Sequence, residues 1–441
     1  MNDEQTYQET IEFMYKQLPM FTRVGAAAYK ANLDNAIALC EALGNPHHSF
    51  KSIHIAGTNG KGSCSYMLAR IFEKNNYKTG LYTSPHIVDF RERIQINHTY
   101  IDKAFVVDFI KQVQTLIEKL KPSFFELTMA MAFYYFSKEK VDIAIIEVGM
   151  GGLLDSTNIL EPLLSIITNI SLDHTQFLGN SLEEIAIQKS GIMKKDTPVI
   201  IGEANEELEK IFFAQSVLKK APLFFAERFY QKVSSEVKDN FQYIKFFSQK
   251  TNTFIPIKTD LLGSYQSKNI ATVLTAIDII KNNNLFNLSK EKSMEALEDI
   301  VNKADLKGRM HKVQSKPDII FDVSHNKAGI YELIQQIQQT DYQHVYFIIG
   351  FVADKDVDII LTMFPSKNAS FAFVQASSQR ALPKEALWEA ATKYNLNGST
   401  YDTITQALET NFHKLHASDA LVVCGSFYIL DEAYTWYKNL L

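Results

Sequence analysis

Ile53-His54-Ile55-Ala56 runs into Gly57-Thr58-Asn59-Gly60-Lys61-Gly62-Ser63, and beyond it Cys64, Met67, Leu68, Ile71 and Phe72 recur at the spacing of one helical face. Strand, glycine-rich turn, lysine, hydroxyl and helix is the order that suits a triphosphate. Glycines let backbone N–H groups approach phosphate oxygens, and a helix start presents its positive end. In that arrangement Lys61 reaches the β/γ-phosphates and Ser63 is placed to meet Mg²⁺. The strict GxxxxGK[ST] spacing is not met, because Gly57 lies too close to Lys61 and Gly62 separates Lys61 from Ser63. A tight βα turn with a capping serine is the alternative these residues leave open.

Further carboxylates, a histidine and a lysine fall where strands should end. The apolar run 141–148 finishes Ile145-Ile146-Glu147-Val148 and enters Gly149-Met150-Gly151-Gly152. A glutamate at the end of so apolar a strand is costly to bury alone, so a cation or hydrogen-bond donors should meet it. Beside a phosphate loop that cation fits Mg²⁺; capping by the following glycine amides is the alternative. The next run ends Thr168-Asn169-Ile170-Ser171-Leu172-Asp173-His174, which sets Asp173 and His174 on the same rim, although such a pair also serves as an ordinary helix cap. Glu126 opens an apolar helix, where a carboxylate suits the helix dipole. Lys189, in Ile187-Gln188-Lys189-Ser190-Gly191, reads in isolation as a solvated helix lysine before a glycine stop.

The elements that must hold these residues alternate between short apolar runs and amphipathic stretches. Strands are expected at 51–56, 141–148, 163–169 and 197–202, and again at 318–323, 344–350, 370–375 and 420–424. Continuous apolar, β-branched runs of this length suit strands of a parallel sheet buried on both faces. The fold class expected is α/β: a P-loop ATPase domain with a mostly parallel sheet, then a smaller Rossmann-like α/β domain. Ligands are expected at the carboxyl ends of the strands. Segment 229–263 alternates apolar and polar residues and predicts a small antiparallel sheet appended to the first domain. The charged, apolar-poor stretch 302–312 predicts the boundary, giving domains 1–303 and 304–441.

Composition narrows the function classes. With 45 basic and 50 acidic side chains the net charge is −5, which gives no footprint for nucleic acid or an anionic membrane. At 46% hydrophobic and 22% charged the chain has the composition of a globular protein rather than a disordered one. Cys40, Cys64 and Cys424 lie far apart, which argues against a disulfide scaffold and a cysteine zinc site. No apolar run approaches a membrane span, and the opening residues lack the basic-then-apolar layout of a signal peptide, so a cytoplasmic protein is expected.

The motifs, taken in order, resemble one family. Gly57-Thr58-Asn59-Gly60-Lys61-Gly62-Ser63 is similar to the phosphate loop of the Mur-type amide ligases, and the folate branch, folylpolyglutamate synthase and dihydrofolate synthase, matches best. The resemblance continues through Thr83-Ser84-Pro85-His86, Arg91-Glu92-Arg93-Ile94, Phe125-Glu126-Leu127-Thr128, Glu147 to Gly152 and Asp155-Ser156-Thr157-Asn158. It extends over Leu172-Asp173-His174, Gln188 to Ile192, Gly263-Ser264-Tyr265-Gln266 with Asn269, Gly308-Arg309, Asp322-Val323-Ser324-His325-Asn326 and Gly425-Ser426.

The resemblance implies roles that the residues alone leave open. Ser84, Glu147 and His174 look like Mg²⁺ ligands, with two Mg²⁺ ions implied. Lys189 resembles the family lysine that is carbamylated near the metal. Asn269, Arg309, Asp322 and His325 look like ATP contacts. The implied reaction is attack of a dihydropteroate or reduced-folate carboxylate on ATP, then capture of the acyl phosphate by L-glutamate, in a monomer. The segment 18–25 and the loop 84–93 are candidates for the pterin end; packing under the first domain explains them equally well. Three departures stand out: Leu153 where the family usually has arginine, Val323-Ser324 where Gly-Ala is common, and Lys307 where proline is frequent. A cell-wall Mur ligase is the neighbouring reading, though only 56 residues precede Gly57, too few for its UDP-binding domain. An ATP-switched binding protein and a P-loop kinase are readings of other classes.

Overall fold

A computed structural model describes residues 3–20, 32–353 and 355–440. Two compact bodies divide the chain between Asp305 and Leu306, except that residues 87–89 and 261–265 belong with the second.

The first body is built on an eight-stranded sheet. Its strands are β1 (Lys51–Ala56), β2 (Thr79–Tyr82), β3 (Ile94–Ile96), β4 (Thr99–Tyr100), β5 (Ile143–Glu147), β6 (Leu164–Ile167), β7 (Val199–Ile201) and β8 (Leu223–Phe225), in the order β4-β3-β2-β5-β1-β6-β7-β8. From β2 to β8 every neighbouring pair is parallel, while β3 and β4 turn back antiparallel. The turns after β1, β5 and β6 therefore open on one rim, with β1 in the middle, its Ile55 level with Glu147 of β5 and with Ile166 of β6. These central strands are buried on both faces, which is why their sequences read as unbroken apolar runs. One face packs against helices Asp3–Gln17, Asp34–Ala42, Lys103–Leu120 and Phe124–Lys138; the other carries Ile167, Ala186, Ile192, Val199, Ile201 and Phe212. The expected antiparallel sheet is present as β9 (Tyr230–Lys238), β10 (Phe241–Ser248) and β11 (Thr253–Thr259), with Ile244 and Phe246 buried and Lys245 between them exposed.

The second body holds a six-stranded sheet of β12 (His311–Gln314), β13 (Asp318–Phe321), β14 (Val345–Ile349), β15 (Ala369–Val374), β16 (Gly398–Tyr401) and β17 (Ala420–Cys424), ordered β12-β13-β17-β14-β15-β16. All neighbours are parallel except the edge strand β12. Side chains alternate between two cores, as the period of a strand requires: Phe347, Ile349 and Val422 face one, Ile348, Leu421 and Val423 the other.

Differences from expectation lie at strand ends and edges. The run 141–148 gives a strand only from Ile143 to Glu147, because Val148 onward leaves the ladder for the loop that follows. β2, β3, β4, β8, β12 and β16 were not anticipated; each is four residues or shorter, too brief for its pattern to stand out. Of the segment 18–25, residues 21–25 lie outside the described residues. Among the described residues no helix is long and apolar enough to cross a membrane.

Candidate active site

The turn after β1 has its shape because two glycines stand where side chains cannot. Gly60 has φ 83° and caps the helix Lys61–Lys74, and a Cβ on it would sit 2.4 Å from Asn269 Oδ1. Gly57 has φ 149°, and its Cβ would collide with Thr168 Oγ1. Between them, Thr58 N–H donates to the Asn169 carbonyl (3.0 Å) and Asn59 N–H to Asn169 Oδ1 (2.9 Å). The Thr58 hydroxyl donates to Ser171 O and accepts from Ser171 N–H (3.1 and 3.0 Å). The turn is thus anchored to the chain leaving β6. The amides that open the helix lack intrahelical partners, which is the anion-binding geometry of a phosphate loop.

Lys61 lies back on its own loop, its Nζ donating to Thr58 O (3.1 Å). Ser63 is buried and accepts from Gln266 Nε2 (3.2 Å), whose Oε1 accepts from Asn269 Nδ2 (2.8 Å). Asn269 therefore belongs to the loop's own surroundings, on the helix Gln266–Asn282.

Glu147, only 4% exposed at the end of β5, accepts from the backbone N–H of Ser84 (3.2 Å). The structure thus joins two of the residues read from the motifs. The loop after Glu147 is fastened by Asp155, which is buried and accepts from Met150 N–H (2.9 Å), Thr157 N–H (3.0 Å) and the Thr157 hydroxyl. His54 in β1 meets that same hydroxyl through Nε2 (2.8 Å), and burial pushes its proton affinity down to about 3.

Lys189 ends the helix Leu182–Lys189 and is 4% exposed. Its Nζ donates to the Gly57 carbonyl (2.9 Å), and burial, assisted by the charge of Lys61, pushes its pKa down to about 7. The residue that looked like a solvated helix lysine faces the phosphate loop. His174 follows Asp173, whose Oδ1 accepts the His174 N–H (2.9 Å), and it precedes the short helix Thr175–Leu178 in a left-handed conformation (φ 51°). Three residues back, Ser171 is bonded to Thr58, so the segment leaving β6 carries both toward the loop's rim.

Arg309, Asp322 and His325 gather in the second body. Buried Asp322 accepts from Met310 N–H (2.6 Å), Ser324 N–H (2.8 Å) and the Ser324 hydroxyl; burial raises its pKa, and these hydrogen bonds, with Arg309 after them, oppose the rise. His325 Nδ1 lies 2.8 Å from Val323 O, and the rings of His325 and Phe427 pack at 5.5 Å with the Arg309 guanidinium 5.6 Å from Phe427.

Sequence reasoning gave no role to Thr168 and Asn169, which shape the phosphate turn, or to His54, and it had Asp155 and Thr157 only as part of a motif. For Thr168, Asn169 and His54 the one signal was position, at the end of β6 or on β1. Among the described residues there is no group of three or more His, Cys, Asp or Glu side chains set to hold a metal ion. A single strand-end carboxylate beside a phosphate loop suits Mg²⁺, which takes oxygen ligands, keeps waters and leans on phosphate oxygens, and does not suit a metal needing an all-protein cage.

Two domain families match this chain: the Mur ligase middle domain over residues 55–277 and the Mur ligase glutamate ligase domain over residues 308–427. A probable dihydrofolate synthetase of Schizosaccharomyces pombe is 34% identical over 432 residues, covering 92% of this chain and 98% of that protein. The chain belongs to the folylpolyglutamate and dihydrofolate synthase family of Mur ligases. The folylpolyglutamate synthase of Lacticaseibacillus casei is 29% identical over 430 residues, 96% of each chain. The Mycobacterium tuberculosis folylpolyglutamate synthase complexed with ADP superposes with a TM-score of 0.86 at 26% identity, covering 99% of both chains. As a folylpolyglutamate and dihydrofolate synthase family member, the protein is an ATP-dependent ligase, and the expected α/β architecture is that of its solved relatives.

Proposed function

We infer that this protein forms an amide between the carboxylate of a pteroate or folate and the amine of L-glutamate, driven by ATP through an acyl phosphate. The observation that carries the reading is the pairing, in one chain, of a phosphate loop backed by a buried lysine and a buried strand-end carboxylate with a glutamate ligase domain. Joining a carboxylate to an amine in water is uphill and needs activation. A substrate carboxylate oxygen attacks the γ-phosphorus of ATP, the bond to the bridging oxygen breaks and ADP leaves. The glutamate amine then attacks the acyl carbon, losing a proton, and inorganic phosphate departs. Such phosphoryl transfer rests on positioning and charge stabilisation.

Lys61 supplies a mobile cation to the transferring phosphoryl group, and Gly57 to Ser63 supply amides around it. Ser84, Glu147 and His174 would hold one Mg²⁺, and Ser63 would face a second beside the phosphates. Bound there, Mg²⁺ neutralises charge on the phosphate oxygens. Lys189, with a proton affinity near neutrality, has enough free amine to add to CO₂ and lose a proton, which gives the carbamate the family resemblance implies. Asn269, Arg309, Asp322 and His325 are assigned to ATP, residues 1–303 to the ATP-binding domain and 304–441 to the glutamate ligase domain. The protein is read as a cytoplasmic monomer.

The test is a substrate-resolved assay. ADP release is measured with ATP alone, then with dihydropteroate or a reduced folate plus glutamate, with mass readout of added glutamates. Glutamate-dependent turnover with an amide product supports the reading. Glutamate-independent ATP hydrolysis without a folate product would make the protein a nucleotide switch.

A further inference from the structure

Glu203 has no place in the motifs that carry the family resemblance, yet it is tied to the phosphate turn twice. It lies two residues past β7, and its N–H donates to Thr168 O (2.9 Å), so the parallel pairing of β6 with β7 runs on beyond both strands. Thr168 in turn donates its hydroxyl to Asn59 O (2.5 Å). The side chain makes the second tie. Glu203 Oε1 accepts from Asn169 Nδ2 (3.4 Å), and Asn169 Oδ1 accepts the Asn59 N–H (2.9 Å). Asn59 is thus held at both of its backbone polar groups, and each hold leads back to Glu203.

An ionised carboxylate can only accept, while an asparagine amide has a donor end and an acceptor end. Glu203 therefore draws the NH₂ end of Asn169 to its own side, which leaves Oδ1 for the Asn59 N–H. Turned over, the amide would set its NH₂ against that N–H and its oxygen against the carboxylate, and both contacts would become repulsive. Lys268 holds the carboxylate from another direction, Nζ to Oε2 at 2.7 Å, with Glu203 the more buried of the two side chains. Lys268 precedes Asn269 on the helix Gln266–Asn282, so the ion pair joins the exit of β7 to the helix that meets the turn at Gly60. What these contacts fix is the backbone of Asn59 and, next to it, Gly60, the cap of the helix whose opening amides form the anion site. Amides aimed before the ligand arrives bind it more tightly than amides that must be ordered by it.

We propose that Glu203 is a positioning residue for the nucleotide: it fixes the orientation of the Asn169 amide and, through it, holds the phosphate turn in the shape that receives the phosphates of ATP. The proposal deepens the ligase reading and rests on its placing of the nucleotide at this turn.

The full-length protein is titrated calorimetrically with ADP and Mg²⁺. Glu203→Ala binds about 10-fold more weakly than wild type, the loss of a hydrogen bond to a charged group, and Asn169→Ala loses at least as much. Because Glu203 acts through Asn169, the double variant binds no more weakly than Asn169→Ala alone. Glu203→Gln, which keeps an acceptor, falls between wild type and Glu203→Ala. In ligation the loss enters the KM for ATP, with kcat and the KM for glutamate within about twofold of wild type. A merely structural loss lowers the melting temperature and the active fraction but leaves the ADP affinity of the folded protein where it was. Wild-type ADP affinity in Glu203→Ala, or losses that multiply in the double variant, overturns the proposal. Should Glu203→Ala fail to fold, Glu203→Gln takes its place in the same comparison. Glutamate incorporation by wild type is measured alongside. Absence of amide product, with ADP affinity still dependent on Glu203, overturns the ligase reading alone; product formation with ADP affinity independent of Glu203 overturns this one alone.

Discussion

Lys189 Nζ donates to the carbonyl of Gly57 at 2.9 Å, so the lysine that ends one helix is fastened to the first residue of the phosphate turn. Burial, with Lys61 nearby, brings its pKa down to about 7. In the unfolded chain that amine keeps its proton up to the ordinary lysine range. Between about pH 7 and pH 10 the unfolded state therefore binds more protons than the folded one, and stability rises with pH; below about 7 both are protonated and the penalty is constant. Urea denaturation in CO₂-free buffer at about pH 7 and about pH 9.5 should show wild type gaining stability relative to Lys189→Met as the pH rises. Parallel pH dependence in the two proteins would mean that Lys189 is not held as described.

Lys61 carries the second prediction. Among the described residues its ammonium hydrogen-bonds only to its own loop, so Lys61→Ala should cost about 1 kcal/mol or less of stability. A cation aimed at the transferring phosphoryl group matters far more to rate, and its loss should lower ligation by at least about 10²- to 10³-fold. Thermal unfolding and glutamate incorporation separate the two effects. Ligation at wild-type rate in the folded variant would place the phosphate elsewhere.

Glu147 allows charge and hydrogen bonding to be told apart. In Glu147→Gln the amide oxygen can still accept from Ser84 N–H, so the fold persists while the negative charge is gone. In Glu147→Ala that N–H loses its acceptor, at a cost of about 1–3 kcal/mol. Both variants should lose ligation by about 10²-fold or more if the charge is what the reaction needs. A Gln variant as active as wild type would leave Glu147 only its bond to Ser84.

How much of this was legible in the sequence follows from where the information lies. β1 and β17 occupy the residues their apolar runs predict, because a strand covered on both faces must be apolar throughout. The phosphate turn was legible for the same local reason: Gly57 and Gly60 take backbone angles that other residues resist. Lys189 was not, since nothing in its own helix says that the helix end abuts Gly57. Arg93 likewise shows as part of a motif, but its burial exists only once Phe124, His86 and Tyr15 have assembled around it. Local chemistry is written in the chain; desolvation is written by neighbours far along it.

Leu153 offers a gain-of-function test. It follows the paired glycines, is 37% exposed, and is held through its backbone, with its N–H on Gln188 O (2.8 Å). A longer side chain can therefore extend outward, and Leu153→Arg should change stability by no more than about 0.5 kcal/mol. The added cation sits in the loop after Glu147, so kcat/KM for the acid substrate should rise. An unchanged kcat/KM would show that this loop has no use for the charge the family usually places there.

Gly60 and Gly44 make a matched pair for the last prediction. Both have left-handed backbones, φ 83° and 80°, so alanine at either costs about 1–2 kcal/mol of backbone strain. The difference is what a Cβ would meet: nothing within 4 Å at Gly44, but Asn269 Oδ1 at 2.4 Å at Gly60. Gly60→Ala must push aside Asn269, whose amide also holds Gln266 and through it Ser63. Gly44→Ala should therefore lose stability with unchanged KM for ATP, whereas Gly60→Ala should lose stability and raise that KM. Thermal unfolding and ATP-dependent ligation kinetics of the two variants, measured together, decide it: equal KM values would mean that Asn269 plays no part in holding the nucleotide.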